Sequence, residues 1–294
     1  MTNNWSDLGF STCFIVQGAN PVENHPASIA HLNSARYDAN SRGRNAALVV
    51  IDPRQTRTAR MLSAPQIIAA AKTAWDAAKA AWDPAAVPPK LPSNDMRWLD
   101  RYVRIRPGTN IAFNNGILNA IIAWMYDKKG SGGYDGAIAD NFFAWHNATA
   151  PGSTASRTFI NDTGGTGTVT IPKYCDSRIL VNAAGDDYQR TTQALSSGSA
   201  SNFPLFAANV DDPDCVFQKI VDHVAPYDLA TVADICGCLT SDIEAVRDAY
   251  IYTSRFASSD FGATAMTQTA AGYRAACIMY AMGATQFTTG SQGI

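Results

Sequence analysis

Leu48-Val49-Val50-Ile51-Asp52-Pro53-Arg54-Gln55-Thr56-Arg57-Thr58-Ala59 is the stretch that decides the fold. Four consecutive aliphatics with no polar alternation read as a strand covered on both faces, as in a parallel sheet. Pro53 has no N–H for a ladder bond, so the strand stops there. The residues after it lie at the carboxyl end of a parallel strand, where open α/β sheets bind ligands. One acceptor, Asp52, and two cations, Arg54 and Arg57, suit a ribose or guanine edge and a phosphate. The alternative is a solvated loop with a helix cap at Thr56 or Thr58.

Upstream, Cys13-Phe14-Ile15-Val16-Gln17 is a second short apolar run and reads as a strand. It runs into Gly18-Ala19-Asn20-Pro21-Val22-Glu23-Asn24-His25-Pro26. Gly18 lets the backbone approach a ligand closely, and Asn20-Pro21 breaks regular structure. Asn20, Glu23, Asn24 and His25 crowd polar groups just past the strand end. A helix is predicted from Ala27 to about Ala39, with Ile29, Leu32 and Ala35 or Arg36 on its inner face. Ser41-Arg42-Gly43 ends it and leads back into Leu48–Ile51. This is one βαβ unit, right-handed by the general rule. It lacks a GxGxxG fingerprint, and Asp52 lies well beyond the ~20-residue spacing of a dinucleotide acid, which disfavours an ordinary NAD site.

Downstream, Ala64 to Trp82 carries Ile67, Ala71, Trp75 or Ala74, Ala78 and Trp82 at helical spacing and reads as a packing helix. Pro84 to Pro92 holds four prolines and reads as an extended linker. Tyr102–Arg106 alternates like a strand, and Pro107-Gly108-Thr109-Asn110 is a turn able to cap a helix from Ile111 to about Asp127. The start of that helix is a second place where backbone donors meet a ligand. From Gly130 to Asn209 glycine, serine and threonine dominate, with short strands such as Thr168–Ile171. Helical spacing returns at Val216, Ile220, Val221 and Val224, then at Leu229, Val232, Ala233 and Cys236, ended by Gly237. Ser241-x-x-Glu244 is a capping box opening a helix to about Ser254. Ala275–Ala281 reads as another buried strand, followed by a turn at Met282-Gly283-Ala284-Thr285-Gln286. Three or four strands thus end in polar turns, as expected of one shared binding edge.

Composition narrows the class. With 294 residues, 46% hydrophobic and 16% charged, the chain is expected to be a folded, soluble protein with a large core and one or two domains. A net charge of −2 argues against a nucleic-acid surface. Between Arg36 and Arg106, however, 13 Lys or Arg stand against 6 Asp or Glu, an excess that suits an anionic ligand. No apolar run reaches the roughly 18 residues of a membrane span. The six cysteines are scattered, and Cys236-Gly-Cys238 lacks a second pair at metal spacing. The four histidines form no metal motif, so no metal site is expected in this chain.

Taken together, the turns resemble the molybdopterin oxidoreductases of the dimethyl sulfoxide reductase superfamily, and within it the large subunit of respiratory, selenocysteine-type formate dehydrogenases. The residues that carry the resemblance are Met1–Trp5, Gly18–Pro26, Val50–Ala59, Ile105–Phe113, Asp212–Phe217, His223–Tyr227 and Tyr280–Ile294. Their number and order, not any one block, make it specific. Segments 64–98 and 129–213 match poorly and look like insertions. The chain departs from the family pattern at Asn4 and Phe287, usually His, at Asn110, usually Asp, and at Gly293, usually Asn.

The resemblance implies a Rossmann-like parallel sheet with helices on both faces, plus a loop-rich insertion and a helical segment. Residues 1–128 would be the part that binds molybdopterin guanine dinucleotide, 129–213 the insertion, and 214–294 the helical segment with the returning strand. It implies a bis(molybdopterin guanine dinucleotide) cofactor on molybdenum or tungsten. Gly18, Asn20, Glu23, Asn24, Asp52, Pro53, Arg54, Thr56, Gly108 and Asn110 would hold a guanosine diphosphate arm, and Met282, Gly283 and Gln286 would line the pterin. In the family the metal-ligating selenocysteine or cysteine and its histidine precede the segment matching Met1. The iron–sulfur cysteines lie further upstream, and the formate-orienting arginine comes after the segment matching Ile294. This piece would therefore bind cofactor and leave the reacting groups to other fragments, with an iron–sulfur electron-transfer subunit as partner and formate as substrate. Two other readings stay open: a non-catalytic relative of the same fold, and a superfamily oxidoreductase acting on nitrate or another oxyanion. Respiratory relatives would place the protein in the periplasm; the sequence leaves the compartment open.

Overall fold

The computed structural model describes residues 8–9, 11–38, 45–83, 95–147, 154–160, 166–172, 176–194, 200–253 and 276–280. In chain order the elements are β1 (Cys13–Gln17), α1 (Pro21–Asn24), α2 (Pro26–Tyr37), β2 (Ala47–Ile51), α3 (Pro65–Ala80), β3 (Arg101–Val103), α4 (Asn110–Lys128), α5 (Gly133–His146), β4 (Thr154–Ile160), β5 (Thr166–Pro172), β6 (Arg190–Ala194), β7 (Ala200–Pro204), α6 (Val216–Val224), α7 (Leu229–Cys236), α8 (Thr240–Thr253) and β8 (Ala276–Tyr280).

The main sheet runs β3-β2-β1-β8, and every pair in it is parallel. The aliphatic runs behave as a parallel sheet requires: Phe14 to Val16 and Leu48 to Val50 are fully buried. Alternate residues feed two cores. Phe14, Val16, Leu48 and Val50 meet Leu32 and Ala35 of α2 on one face. Cys13, Ile15, Ala47, Val49 and Ile51 meet a thicker layer that includes Trp75, Phe113, Ile117 and Val246 on the other. The predicted α/β class with helices on both faces is what the structure has.

Single elements differ from expectation. The polar turn after β1 contains a short helix, α1, started by Pro21, and α2 begins at Pro26, where a proline fits the first helical turn. β3 stops at Val103, before the expected Arg106, although Ile105 is still buried. The inner stripe of α3 runs through Ala71 and Trp75, while Ile67, expected inside, is 40% exposed. β8 is an edge strand among the described residues, and its Ile278 is 51% exposed, so it is not the buried strand expected.

The segment read as loops holds α5, and Tyr134, Ala139 and Phe143 of that helix join the main core. Gly130 and Gly132 just before it and Gly133 at its first position, all at positive φ, mask its start. β4 pairs with β5 and β6 with β7, both antiparallel, as two separate hairpins. α4 and α7 pack closely, since a Cβ on Gly116 would stand 2.7 Å from Val232 Cγ2. The α8 start uses a different acid from the expected Ser241/Glu244 box: Asp242 accepts the Leu239 N–H at 3.1 Å. α7 is capped by Asp228, which accepts from Ala230 and Thr231, and ends on Gly237 at φ +67.

The last turn of α5 carries a half-buried titratable group. His146 lies 4.3 Å from the Phe142 ring, and its Nδ1 is 2.9 Å from Ser177 Oγ. Burial first, then the Arg178 charge, lowers its pKa to about 4. An unfolded histidine titrates near 6.5. Protonation between those values therefore favours the unfolded chain. Stability from this site is complete above pH ~6.5 and is lost as pH falls from there towards about 4. His146→Gln is expected to flatten the Tm–pH profile across that window; a profile as steep as the wild type would show that other groups set it.

Candidate ligand-binding edge

Because all four strands of the main sheet are parallel, their carboxyl ends lie along one edge, at Gln17, Ile51, Val103 and Tyr280. The chain steps outward from β1 to β2 to β3 and returns on the far side of β1 as β8. The strand order therefore reverses between β1 and β8, and ligands of open α/β sheets bind at such a reversal. The loop after β1 borders that point.

This loop and the one after β2 are tied together. Gly18 sits at φ +59 and donates its N–H to the Ile51 carbonyl at 3.0 Å. Asn20 is buried, and its Oδ1 accepts the Thr58 hydroxyl at 2.9 Å. Thr58 Oγ1 in turn accepts the Val22 N–H at 3.4 Å. Asn20 also donates to Glu23, and Glu23 pairs with Arg57 at 3.1 Å. Asn24, exposed at the end of α1, closes its turn by donating its N–H to the Asn20 carbonyl at 3.0 Å. The structure thus ties Gly18 to the end of β2 and Asn20 and Glu23 to the far end of the second loop, while Asn24 bonds only within its own turn.

The second loop divides into holding and available groups. Asp52 Oδ1 accepts the Arg54 N–H at 2.8 Å, and the Asp52 carbonyl accepts the Tyr102 hydroxyl at 3.0 Å. Burial, with the Asp52 charge added and Arg104 opposing, pushes the Tyr102 phenol up, so it stays a donor. Thr56 is buried and accepts the Ala59 N–H at 3.4 Å. The bond spans the start of the short 3-10 turn Thr58–Met61, whose N-cap residue is Arg57 and not Thr56 or Thr58. Pro53 is half-buried beside Asp52. Arg57 is used by Glu23. The Arg54 guanidinium is exposed, and among the described residues it and Asp52 Oδ2 have no partner.

The third loop leads to α4. Gly108 sits at φ +84 with open space where a Cβ would stand. Asn110 is the first residue of α4 and half-buried; Thr109 before it makes no side-chain cap to the helix, contrary to the capping turn expected. Among the described residues no hydrogen bond joins Gly108 or Asn110 to the Asn20–Thr58 network. Gln17 joins α4 to the edge by donating to Asn114 Oδ1 at 3.2 Å. Gln17 and Thr58 thus join the edge as residues beyond those expected from the sequence. Each lies within seven residues of a parallel-strand end, which is the signal that would have marked them. Met282, Gly283, Gln286 and Phe287 lie outside the described residues.

A free cation and an unshared carboxylate oxygen at the carboxyl edge fit an anionic ligand with a hydrogen-bond-donating edge, such as a nucleotide. No group of three or more His, Cys, Asp or Glu able to hold a metal occurs among the described residues. No helix among them is long and apolar enough to cross a membrane.

No family model matches the chain. Against individual proteins, it is 26% identical over 297 residues to the formate dehydrogenase subunit alpha of Megalodesulfovibrio gigas, covering 100% of this chain and 21% of that one. Over its whole length this chain is similar to formate dehydrogenase alpha subunits. The formate dehydrogenase-O major subunit of Escherichia coli gives 23% identity over 297 residues, again 100% of this chain and 21% of that protein. The formate dehydrogenase major subunit of Haemophilus influenzae gives 42% over 59 residues, 20% of this chain and 5% of that protein. The chain thus spans about one fifth of the length of the formate dehydrogenase subunits it matches from end to end.

Proposed function

We propose that this chain is part of the catalytic subunit of a molybdenum or tungsten formate dehydrogenase and supplies cofactor binding. The observation that carries the reading is the end-to-end similarity to formate dehydrogenase alpha subunits. The sheet edge supports it, because Asp52 and Arg54 offer what a guanine dinucleotide needs. In this reading the cofactor is bis(molybdopterin guanine dinucleotide), and its metal, when bound, takes up the two electrons released as formate becomes carbon dioxide.

Asp52 Oδ2 accepts from the guanine edge or the ribose, and Arg54 binds a phosphate. The knitted Gly18–Glu23 turn presents backbone to the same arm, with Asn24, Pro53 and Thr56 shaping its border. Gly108 gives the ligand close approach to the start of α4, where Asn110 both donates and accepts. Met282, Gly283 and Gln286 line the pterin. An iron–sulfur subunit carries the electrons away.

The test is elemental mass spectrometry with a pterin fluorescence assay, on the chain purified alone and with the products of neighbouring genes. Molybdenum or tungsten together with pterin is the expected result in the co-purified sample. Neither metal nor pterin in either sample would overturn the reading.

A further inference from the structure

On the thick-layer side of the sheet, away from the ligand edge, six aromatic rings come together from six different parts of the chain. Trp75 comes from α3, Trp82 from just beyond it, Trp98 from a short 3-10 turn before β3, Trp124 from α4, Tyr134 from α5 and Tyr252 from α8. Ring centroids are 5.4 Å apart for Trp82–Tyr134, 5.9 Å for Tyr134–Trp75, 5.2 Å for Trp75–Trp98, 5.4 Å for Trp75–Tyr252 and 6.0 Å for Trp124–Tyr252. Tyr134 and Tyr252 stack at 6.4 Å.

Packing accounts for rings in contact, but not for how their polar atoms are arranged. The indole N–H groups of Trp75, Trp82 and Trp98 are buried with no acceptor among the described residues. Such groups cost stability. The Tyr252 hydroxyl, by contrast, donates to Asp135 Oδ1 at 3.0 Å, and Asp135 Oδ2 is 3.1 Å from Lys79 Nζ. Burial, with the Asp135 charge next, holds the Tyr252 phenol far above its ordinary value, so its resting form is protonated. Lys79 Nζ lies 5.5 Å over the Tyr252 ring and Lys72 Nζ 5.3 Å over Trp98.

We propose that the six rings form a one-electron relay that ends at Tyr252, with Asp135 receiving the phenolic proton. The oxidant class is a high-potential one-electron acceptor at the surface, an oxygen-derived radical or a metal complex, reaching the half-buried Trp82. The oxidant gains one electron and Trp82 becomes a radical cation. Trp75 refills it as an indole radical cation, with the Tyr134 ring lying between the two indoles, and Tyr252 supplies the electron in turn. The Tyr252 proton moves to Asp135 Oδ1, leaving a neutral phenoxyl radical and a carboxylic acid, and no heavy-atom bond breaks.

The acceptors set the order. An indole radical cation with no base beside it keeps its proton and passes its charge on. Lysine charges over Trp98 and Tyr252 disfavour a cation resting on either ring, by the same electrostatics that make a cation prefer an electron-rich face. Tyr252 becomes neutral on oxidation, because its proton has a carboxylate to go to.

The experiment is flash oxidation of the purified full chain by a photogenerated ruthenium(III) polypyridyl complex, read by transient absorption and by electron paramagnetic resonance of the frozen product. The wild type is expected to yield a neutral tyrosyl radical. Tyr252→Phe, which keeps the ring, should lose it and leave an oxidised tryptophan. Asp135→Asn, which removes the base but keeps the shape, should slow tyrosyl formation by about a hundredfold. The chain has 11 tyrosines, so an undiminished tyrosyl yield in Tyr252→Phe would overturn the proposal. So would tryptophan radicals that decay in the wild type with no tyrosyl. If Tyr252→Phe loses its near-ultraviolet circular dichroism, the Asp135→Asn rate decides, and an unchanged rate overturns the relay.

Discussion

Asp100→Ala is expected to destabilise the fold by about 3–5 kcal/mol, enough to leave a marginal protein largely unfolded at ambient temperature. Asp100 and Arg36 form an ion pair at 2.7 Å whose side chains are both fully buried. Arg36 also donates to the Ala46 and Met61 carbonyls and to Ser63 Oγ. Asp100 accepts the backbone N–H groups of Leu48 at 2.7 Å and Ser63 at 2.8 Å. One carboxylate therefore joins α2, the start of β2, the segment after the Thr58–Met61 turn and the start of β3. Removing it strands a buried guanidinium, the buried Leu48 amide and the partly buried Ser63 amide at once. Arg36→Met should cost a similar amount, by stranding the carboxylate. Replacing both together by apolar residues should cost less than either alone, since no charge is then left without a partner. Urea unfolding monitored by circular dichroism measures all three. Single variants within ~1 kcal/mol of wild type would show that water reaches this site. The pair lies at the amino ends of the strands, so folded Asp100→Ala molecules should keep their ligand affinity.

That pair also marks the limit of what the sequence discloses. The parallel sheet was legible because Phe14–Val16 and Leu48–Ile51 have no polar face to offer water, and only a doubly covered strand accommodates that. Arg36 falls on the inner stripe of its helix by periodicity, but nothing local shows that its partner is Asp100, 64 residues away. Likewise Thr58 reads locally as a helix cap; its bond to Asn20 exists only because β1 and β2 are neighbours. α5 was hidden because its glycines and small residues blur the period, while its buried Tyr134 and Phe143 are recognised only against α4 and α8. In each case the sequence carries the local preference, and the missing part is a long-range contact.

The ligand edge gives the other large prediction, and its strength lies in a contrast between neighbours. Arg54 and Arg57 are both exposed cations in one loop, but Arg57 is held by Glu23 and Arg54 is not. A hydrogen bond to a charged group contributes ~1.5–3 kcal/mol, so Arg54→Ala should weaken binding of guanosine diphosphate about ten- to hundredfold. Arg54→Glu should weaken it further, because it sets like charges against each other. Asp52→Ala should also lower affinity, and should do so more for guanosine than for adenosine diphosphate, because it removes an acceptor and not a cation. Arg57→Ala should change affinity little. Glu23 then loses its ion pair but keeps the Asn20 amide, and the two side chains are 69% and 43% exposed, so water replaces the lost contact at small cost. Isothermal titration of the purified chain with the two nucleotides, with melting temperatures as the folding control, tests all four. The Arg54 effect should shrink as salt rises, since an exposed cation on a phosphate is screened. Equal losses at Arg54 and Arg57 would mean that only net charge matters at this edge. Unchanged affinity at Arg54 and Asp52, in proteins that melt like the wild type, would remove the nucleotide from the β1–β2 edge even if the full complex carries the metal and pterin.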